Sequence, residues 1–211
     1  MTGVPSEQRA GHAPELRSEV PSERRAGHAP ELRTEVPSEL RTEPDAGLQS
    51  GPGRASELLA QELLDLAGAA GLTVAVAESL TGGRLAAALT GRPGASAVFR
   101  GSVTAYATEL KAEILGVDPE LLARVGAVDG EVARQMAEGV RRLCGSEVGI
   151  ATTGVAGPAP QDGRPVGTVY LAVAGPSGSN VVLCRFSGDR STIQDSAVSA
   201  ALNLTITHLK S

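Results

Sequence analysis

Apolar and polar positions fall into two regular patterns from about residue 55 onward. Residues 55 to 71 place apolar side chains at helical spacing and end on a glycine, which predicts a helix. Residues 72 to 79, LTVAVAES, form a short apolar run that is typical of a buried strand. Continued along the chain, the two patterns predict helices at 81–91, 107–117, 119–128, 129–145 and 189–210, and strands at 96–107, 147–154, 167–175 and 179–188.

Strands that alternate with helices, together with one hairpin at the turn signal GPSG, predict an α/β domain over residues 55 to 211. We expect a three-layer α/β/α sandwich with a mixed, mainly parallel sheet, closed by a last helix that Asp189 caps. Ligands of such sheets bind beyond the carboxyl ends of the strands. Ser79 and Thr153 both lie at predicted strand ends, so they locate the candidate site.

Residues 1 to 54 have a different character. A unit of 16 residues, VPSEQRAGHAPELRSE, begins at Val4, recurs nearly intact from Val20 and is shortened in a third copy from Val36. Each unit is rich in proline and charge, and it has too few apolar residues to offset the entropy of ordering. We therefore predict a disordered repeat tail, with GLQSGPGR as its linker to the domain.

Composition restricts the classes of function. Apolar residues make up 41% of the chain but aromatic residues only 2%, so the core must consist of Ala, Val, Leu and Ile, which suits helices on a buried sheet. A net charge of −5 argues against a nucleic-acid partner, which would need a basic patch. The chain has no apolar run of about 18 residues and no signal-peptide core, so we expect a cytoplasmic protein with no membrane partner. The sequence does not determine the oligomeric state, and a homo-oligomer is one of the possibilities.

Few side chains are available for catalysis. Two of the three histidines lie in the repeats and the third, His208, is near the end of the last helix, which disfavours triads that use histidine. No cluster of His, Cys, Asp and Glu has the spacing of metal ligands, so we expect no metal and no cofactor. Of 19 basic residues only Lys111 and Lys210 are lysines, and a desolvated lysine, unlike arginine, can act as a base. Lys111 is thus either a solvated helix lysine or the base of a Ser–Lys pair.

Three turns at predicted element ends could bind an anion. The stretch SLTGG, residues 79 to 83, could be a helix start capped by Ser79 or Thr81, or a cradle of backbone N–H groups for a phosphate or an oxyanion. The loop TTGVAGP could supply further donors, and Arg190 in SGDR could bind a phosphate or pair with a surface carboxylate. Together the turns favour a small phosphorylated ligand.

Six stretches occur in an order that resembles the C-terminal domain of the competence/damage-inducible CinA family, also known as the nicotinamide-nucleotide amidase (PncC) family. They are AESLTGG, GSVTAYATELKAEILGV, GAVDGEVARQMAEGVR, ATTGVAGP, PVGTVYLAVAG and FSGDR, and the resemblance covers roughly residues 56 to 210. The resemblance implies hydrolysis of the amide of nicotinamide mononucleotide, which yields nicotinate mononucleotide and ammonia for pyridine-nucleotide salvage. It also implies the stand-alone form, because many relatives carry a further N-terminal domain where this chain has its repeats.

The same resemblance implies roles for individual residues. Ser79 would be the nucleophile, Lys111 the general base, and Tyr106 a third member that orients Lys111 or relays a proton. A second set would line the substrate pocket or form the oxyanion hole, and it comprises Thr81, Gly82, Gly83, Thr153 and Gly154. Arg190 would bind the 5′-phosphate of the nucleotide. Two departures stand out: Leu80 replaces a frequent Cys, and Thr108 replaces a frequent Asn, so any substrate contact of that Asn is in doubt.

Two other functions stay open at this stage. The chain could be a catalytically weak nucleotide-binding module, or a partner module associated with competence or DNA damage. It could also be an amidase for a related amide, in which case the phosphate contact at Arg190 is the discriminating feature.

Overall fold

A computed structural model describes residues 52–211, and it describes their side chains from Arg54 onward. The repeat tail predicted for residues 1 to 54 lies outside this part of the chain, except that the first helix begins at Pro52, before the predicted boundary at residue 55. Within the described residues no helix combines the length and the apolar character that crossing a membrane requires.

Seven helices and five strands follow one another over the described residues. The helices are α1 (Pro52–Ala69), α2 (Arg84–Thr90), α3 (Ala95–Val98), α4 (Thr108–Glu113), α5 (Pro119–Val125), α6 (Gly130–Cys144) and α7 (Arg190–Lys210). The strands are β1 (Val74–Glu78), β2 (Phe99–Thr104), β3 (Val148–Gly154), β4 (Thr168–Gly175) and β5 (Gly178–Arg185). As predicted, Asp189 caps α7, since its carboxylate accepts the amide N–H of Thr192 at 2.8 Å.

The five strands form one sheet in the order β2-β1-β3-β4-β5. The pairs β1–β2 and β1–β3 are parallel, whereas β3–β4 and β4–β5 are antiparallel, so β4 alone runs against the other four strands. Helices cover both faces, α1, α2, α3 and α7 on one and α4, α5 and α6 on the other. The predicted three-layer sandwich with a mixed, mainly parallel sheet is therefore confirmed.

The core matches the composition of the chain. Its buried hydrophobic residues in the described part are Ala, Val, Leu and Ile with one Met, and no aromatic ring is among them. Strand β1, VAVAE, is buried at all five positions because helices pack on both of its faces. Small residues let helix α6 approach the sheet closely: Ala75 and Ala77 of β1 share a core cluster with α6, and a Cβ at Gly149 of β3 would collide with the Ala137 carbonyl.

Several predicted bounds differ from the structure by a few residues, and two of these differences have a visible cause. Residues 96 to 107 were predicted as one strand, but the short helix α3 occupies Ala95–Val98 and the strand starts only at Phe99. Val98 there is buried in one core cluster with residues of α1, so tertiary packing overrides the strand preference of the local sequence. The helix predicted over 119–128 ends at Val125, because Gly126 adopts a φ of 77° and turns the chain away.

Candidate active site

The carboxyl ends of three neighbouring parallel strands meet at one edge of the sheet. Ser79 follows β1, Thr153 is the next-to-last residue of β3, and the segment after β2 carries Ala105 and Tyr106. Because β1 lies between β2 and β3, Ser79 is at the centre of this edge. This is the position at which open α/β sheets bind their ligands.

Ser79 and Lys111 meet at this edge. The Nζ atom of Lys111 lies 3.2 Å from Oγ of Ser79 and donates a second hydrogen bond, 2.7 Å long, to the backbone carbonyl of Ala105. Lys111 is completely buried, and Ser79 is 8% exposed. The side chain of Lys111 is therefore not the solvated helix lysine that the sequence left open, but a buried amine beside a hydroxyl.

Burial changes the acid–base behaviour of Lys111. It lowers the pKa of this amine from 10.5 to about 8, because the charged form loses its hydration, while the carboxylates of Asp162 and Glu109 act in the opposite direction. An appreciable fraction of Lys111 is thus neutral near physiological pH. A neutral amine within hydrogen-bond distance of a serine is the arrangement that Ser–Lys nucleophile activation requires.

A cavity of about 80 Å³ opens beside the two residues. It is lined by the ends of β1 and β3, by the chain after α5 and by the loop that follows β3, and its members are Ser79, Leu80, Tyr106, Ala127, Val128, Thr153, Gly154, Val155, Ala156, Gly157, Ala159, Gln161 and Arg190. Four of the predicted site residues besides Ser79 are thus on its wall: Tyr106, Thr153, Gly154 and Arg190. The Thr153 hydroxyl donates to the carbonyl of Ala127 at 2.6 Å, which joins two of the walls.

Tyr106 and Arg190 form the rim of the cavity. The guanidinium of Arg190 donates to the Tyr106 hydroxyl at 2.5 Å and to the carbonyl of Gly157 at 2.7 Å. Both acceptors are neutral, and no carboxylate in the described part of the chain forms an ion pair with Arg190. Tyr106, which is 57% exposed, contacts Arg190 rather than Lys111, and the carbonyl of Ala105 holds Lys111 instead.

The turn after β1 is organised differently from the predicted anion cradle. Thr81, Gly82 and Gly83 lie outside the cavity lining. The buried carboxylate of Glu78 accepts the amide N–H groups of Gly83, Leu85 and Ala86 at 2.9 to 3.1 Å, so the anion at the start of α2 is the chain's own side chain. Gly83 takes a φ of 97°, which explains the glycine at this N-cap position.

The side chain of Thr81 forms a hydrogen bond in the protein interior and does not form the cap of α2 that the sequence had suggested. Its hydroxyl lies 2.7 Å from the hydroxyl of Thr152, and both side chains are completely buried. Gln194 of α7 holds the same turn from the other side, since its amide donates to the carbonyl of Leu80 at 2.7 Å. Neither Glu78 nor Gln194 was predicted as a site residue. The only sequence signal for Glu78 was an acidic residue at the end of an apolar strand, directly before a glycine-rich helix start.

His208 lies away from this edge. It sits next to Gly175, whose neighbour Ala174 pairs with Gly149 at the beginning of β3, and its Nε2 atom is 3.3 Å from Oγ of Ser177. This is the edge of the sheet opposite Ser79, so His208 cannot complete a triad with it. Likewise, no group of three or more metal-ligating side chains occurs among residues 52–211.

Comparison with known proteins gives a consistent result. The profile of the CinA C-terminal domain matches residues 56–209. A CinA-like protein of Frankia casuarinae is 50% identical over 164 residues, which is 78% of this chain and 37% of that protein. A CinA-like protein of Acidobacterium capsulatum is 42% identical over 166 residues, 78% of this chain and 39% of the other. The chain thus spans less than half the length of these relatives.

Two solved structures share the fold. The crystal structure of a competence-damaged protein (CinA) superfamily protein from Klebsiella pneumoniae has a TM-score of 0.71 and 32% identity, and the match covers 74% of this chain and 98% of that one. A competence/damage-inducible protein from Agrobacterium tumefaciens also has a TM-score of 0.71, with 34% identity over 74% of this chain and 96% of its own.

Proposed function

Because this chain belongs to the CinA C-terminal domain family, we propose that its domain is an amidohydrolase that converts nicotinamide mononucleotide to nicotinate mononucleotide and ammonia. The observation that carries the proposal is the buried pair of Lys111 Nζ and Ser79 Oγ, 3.2 Å apart. A structural lysine would reach solvent or pair with a carboxylate, whereas this one is bonded to a hydroxyl and a carbonyl.

The proposed reaction starts with neutral Lys111. It takes the proton of the Ser79 hydroxyl while Oγ attacks the carboxamide carbon, and a tetrahedral oxyanion forms. The C–N bond then breaks, and the Lys111 ammonium returns the proton to the departing ammonia. Water attacks the resulting ester of Ser79 with Lys111 again as base, which releases nicotinate mononucleotide and the free hydroxyl. The cationic pyridinium of the substrate assists, since it withdraws electrons from the carbon under attack.

The hydrogen bonds of the turn limit which amides can form the oxyanion hole. The N–H of Ser79 donates to Thr152, that of Gly82 to Ser79 and that of Gly83 to Glu78. For the amides of Leu80 and Thr81 the described residues provide no acceptor. Of these two residues only Leu80 lines the cavity, so we assign an oxyanion donor to its amide, and the loss of one such donor typically costs about 2.7–4 kcal/mol in the barrier.

Arg190 suits the phosphate of the substrate. A cavity of about 80 Å³ is small for a whole nucleotide, so the carboxamide end would lie inside and the ribose phosphate across the rim. Arg190 is on that rim with its charge uncompensated by a carboxylate, and we assign Tyr106 to orienting it. Thr153 and Gly154 would form the wall against the ring.

The test is ammonia release from nicotinamide mononucleotide by the purified full chain. Ser79→Ala should reduce the rate by about 10³-fold or more, because the nucleophile is lost. Ser177→Ala is the matched control, since Ser177 lies at the opposite edge of the sheet, and it should keep the wild-type rate. Near-normal release by Ser79→Ala would refute the nucleophile, and binding of the nucleotide without any ammonia from the wild type would favour a nucleotide-binding module instead.

A further inference from the structure

Residues 155–167, which we call the strap, connect β3 to β4 and line the cavity. The strap is anchored at its base, where the Val155 amide donates to Thr168 and the Gly167 amide to Val155. Its first half forms a wall of the cavity and contributes Val155, Ala156, Gly157, Ala159 and Gln161. The tip is a tight turn in which Gln161 and Arg164 exchange backbone hydrogen bonds.

Asp162 at this tip has an unusual backbone. Its φ is 51°, and it is the only residue other than glycine with a positive φ in the described part of the chain. Such a conformation is uncommon outside glycine and persists only where the surroundings fix it. Here the surroundings are the chain after α5, because the Asp162 carboxylate accepts the amide N–H of Ala127 at 2.8 Å.

The chain after α5 is shaped to receive this carboxylate. At Gly126, where φ is 77°, a Cβ atom would lie only 2.4 Å from Cγ of Asp162, so a side chain there would collide with the carboxylate. The next two residues, Ala127 and Val128, form another part of the cavity wall. The carbonyl of Ala127 in turn accepts the hydroxyl of Thr153, so one residue is bonded both to the strap and to β3.

We propose that Asp162 is a positioning residue of the active site: its bond to Ala127 holds the strap and the 127–128 wall at a fixed separation around Ser79. The catalytic consequence of this bond rests on the amidase function proposed above, whereas the bond between Asp162 and Ala127, which we call the tie, does not. A second contact between the same segments is weaker, since Arg164 and Asp129 are 3.7 Å apart and partly exposed. Asp162 is thus the principal tie.

The carboxylate also sets the electrostatic surroundings of Lys111. Two charged groups act on that amine, Asp162 from the strap and Glu109 from its own helix, and Asp162 has the larger effect. Both carboxylates raise the pKa of Lys111 against the lowering by burial. Asp162 therefore has two effects at the site: it bonds the strap to the cavity wall, and it favours the ammonium form of Lys111.

Amide hydrogen exchange of the full chain tests the tie without any substrate. In Asp162→Gly, which removes the carboxylate and tolerates the positive φ, the Ala127 amide should exchange about tenfold faster or more, the factor expected for one charged hydrogen bond. Asp162→Asn keeps an acceptor oxygen and should exchange within about threefold of the wild type. Arg164→Gln is the control and should leave Ala127 unchanged; unchanged exchange in Asp162→Gly, or equal acceleration in Arg164→Gln, would overturn the tie.

The pH dependence of ammonia release tests the catalytic consequence. Catalysis needs neutral Lys111, so kcat/KM rises with pH, and Asp162→Asn should move this rise to lower pH because a carboxylate that favours the ammonium is gone. A rise at unchanged pH would overturn the electrostatic role. If the wild type releases no ammonia, the proposed amidase function fails, and the exchange of Ala127 still decides whether Asp162 holds the strap.

Discussion

Replacing Lys111 by methionine should abolish ammonia release and yet make the protein more stable at neutral pH. The structure sets the size of the effect: burial lowers the pKa of Lys111 from 10.5 to about 8, which corresponds to about 3 kcal/mol against the folded state while the amine is charged. Methionine has similar length and no charge, so it removes this penalty. It also leaves the Ala105 carbonyl without its partner, at a cost of about 1–2 kcal/mol. At pH 7 the variant should therefore be about 1–2 kcal/mol more stable than the wild type.

The sign of this difference should reverse with pH. Below pH 8 Lys111 is charged in both the folded and the unfolded chain, so the whole penalty acts. Between about 8 and 10.5 only the unfolded chain keeps the proton, so the stability of the wild type rises with pH relative to the variant. Near pH 10.5 the cost of burying a charged Lys111 is nearly gone from the wild type. The variant then differs mainly by the hydrogen bonds that it lacks, so Lys111→Met should be the less stable protein.

Urea unfolding followed by circular dichroism measures this, because the chain has no tryptophan. Burial raises the pKa of the Cys184 thiol to about 11, which lowers stability above pH 9, but this contribution is common to both proteins and cancels in their difference. Lys210→Met is the control: that lysine pairs with Glu62 on the surface, and its loss should change stability by less than about 0.5 kcal/mol. The desolvation of Lys111 would be refuted if Lys111→Met were less stable than the wild type at pH 7, or if the stability difference between the two proteins did not vary between pH 7 and 10.

Two further substitutions test the rim and the turn. Arg190→Gln should raise KM for nicotinamide mononucleotide by about 10- to 100-fold, the value of one charged hydrogen bond, and leave KM for nicotinamide riboside nearly unchanged. Steady-state kinetics with both substrates measure the two values, and equal effects on both would refute the phosphate role of Arg190. Glu78→Gln should cost about 2–3 kcal/mol in urea unfolding, because one amide oxygen cannot accept the three N–H groups that the carboxylate accepts. A loss below about 0.5 kcal/mol would mean that the start of α2 does not depend on Glu78.

Sequence periodicity was sufficient for most of the fold. Helix α6 has a clear helical period, and the strands β1 and β3 were identified as short apolar runs between turn signals; the structure confirms all three elements. Residues 96–98 were assigned incorrectly because so short a stretch has no period, so its conformation depends on the packing of Val98 in one core cluster with residues of α1. The end of α5 depends likewise on Gly126, where Asp162, a residue distant in the chain, leaves no room for a side chain.

The candidate site was predictable only in part, for a physical reason. Residues of a single strand end, such as Ser79 and Thr153, can be placed because parallel strands end at the same edge. Whether Lys111 lies close to Ser79 depends on how helix α4 packs against the sheet, and the number of residues between the two in the sequence does not determine this packing. Tyr106 illustrates the limit: it precedes α4 closely, yet its hydroxyl contacts Arg190 of α7. The turn was predicted as a cradle for a ligand anion, whereas the amides of Gly83, Leu85 and Ala86 bind Glu78 of the chain itself, which could be identified only from the structure.

The neighbours Glu78 and Ser79 show how one strand supports two functions. Side chains alternate between the faces of a sheet, so Val74, Val76 and Glu78 point toward α2 and α7, while Ala75, Ala77 and Ser79 point toward the layer of α4 and α6. The carboxylate of Glu78 therefore fixes the start of α2 on one face, and the hydroxyl of Ser79 meets Lys111 of α4 on the other. A shift of β1 by one residue would exchange the two faces and put a carboxylate beside Lys111, where an ion pair would hold the amine protonated. The all-buried register of β1 against β2 and β3 is consequently a condition for a neutral base, and not only for a stable sheet.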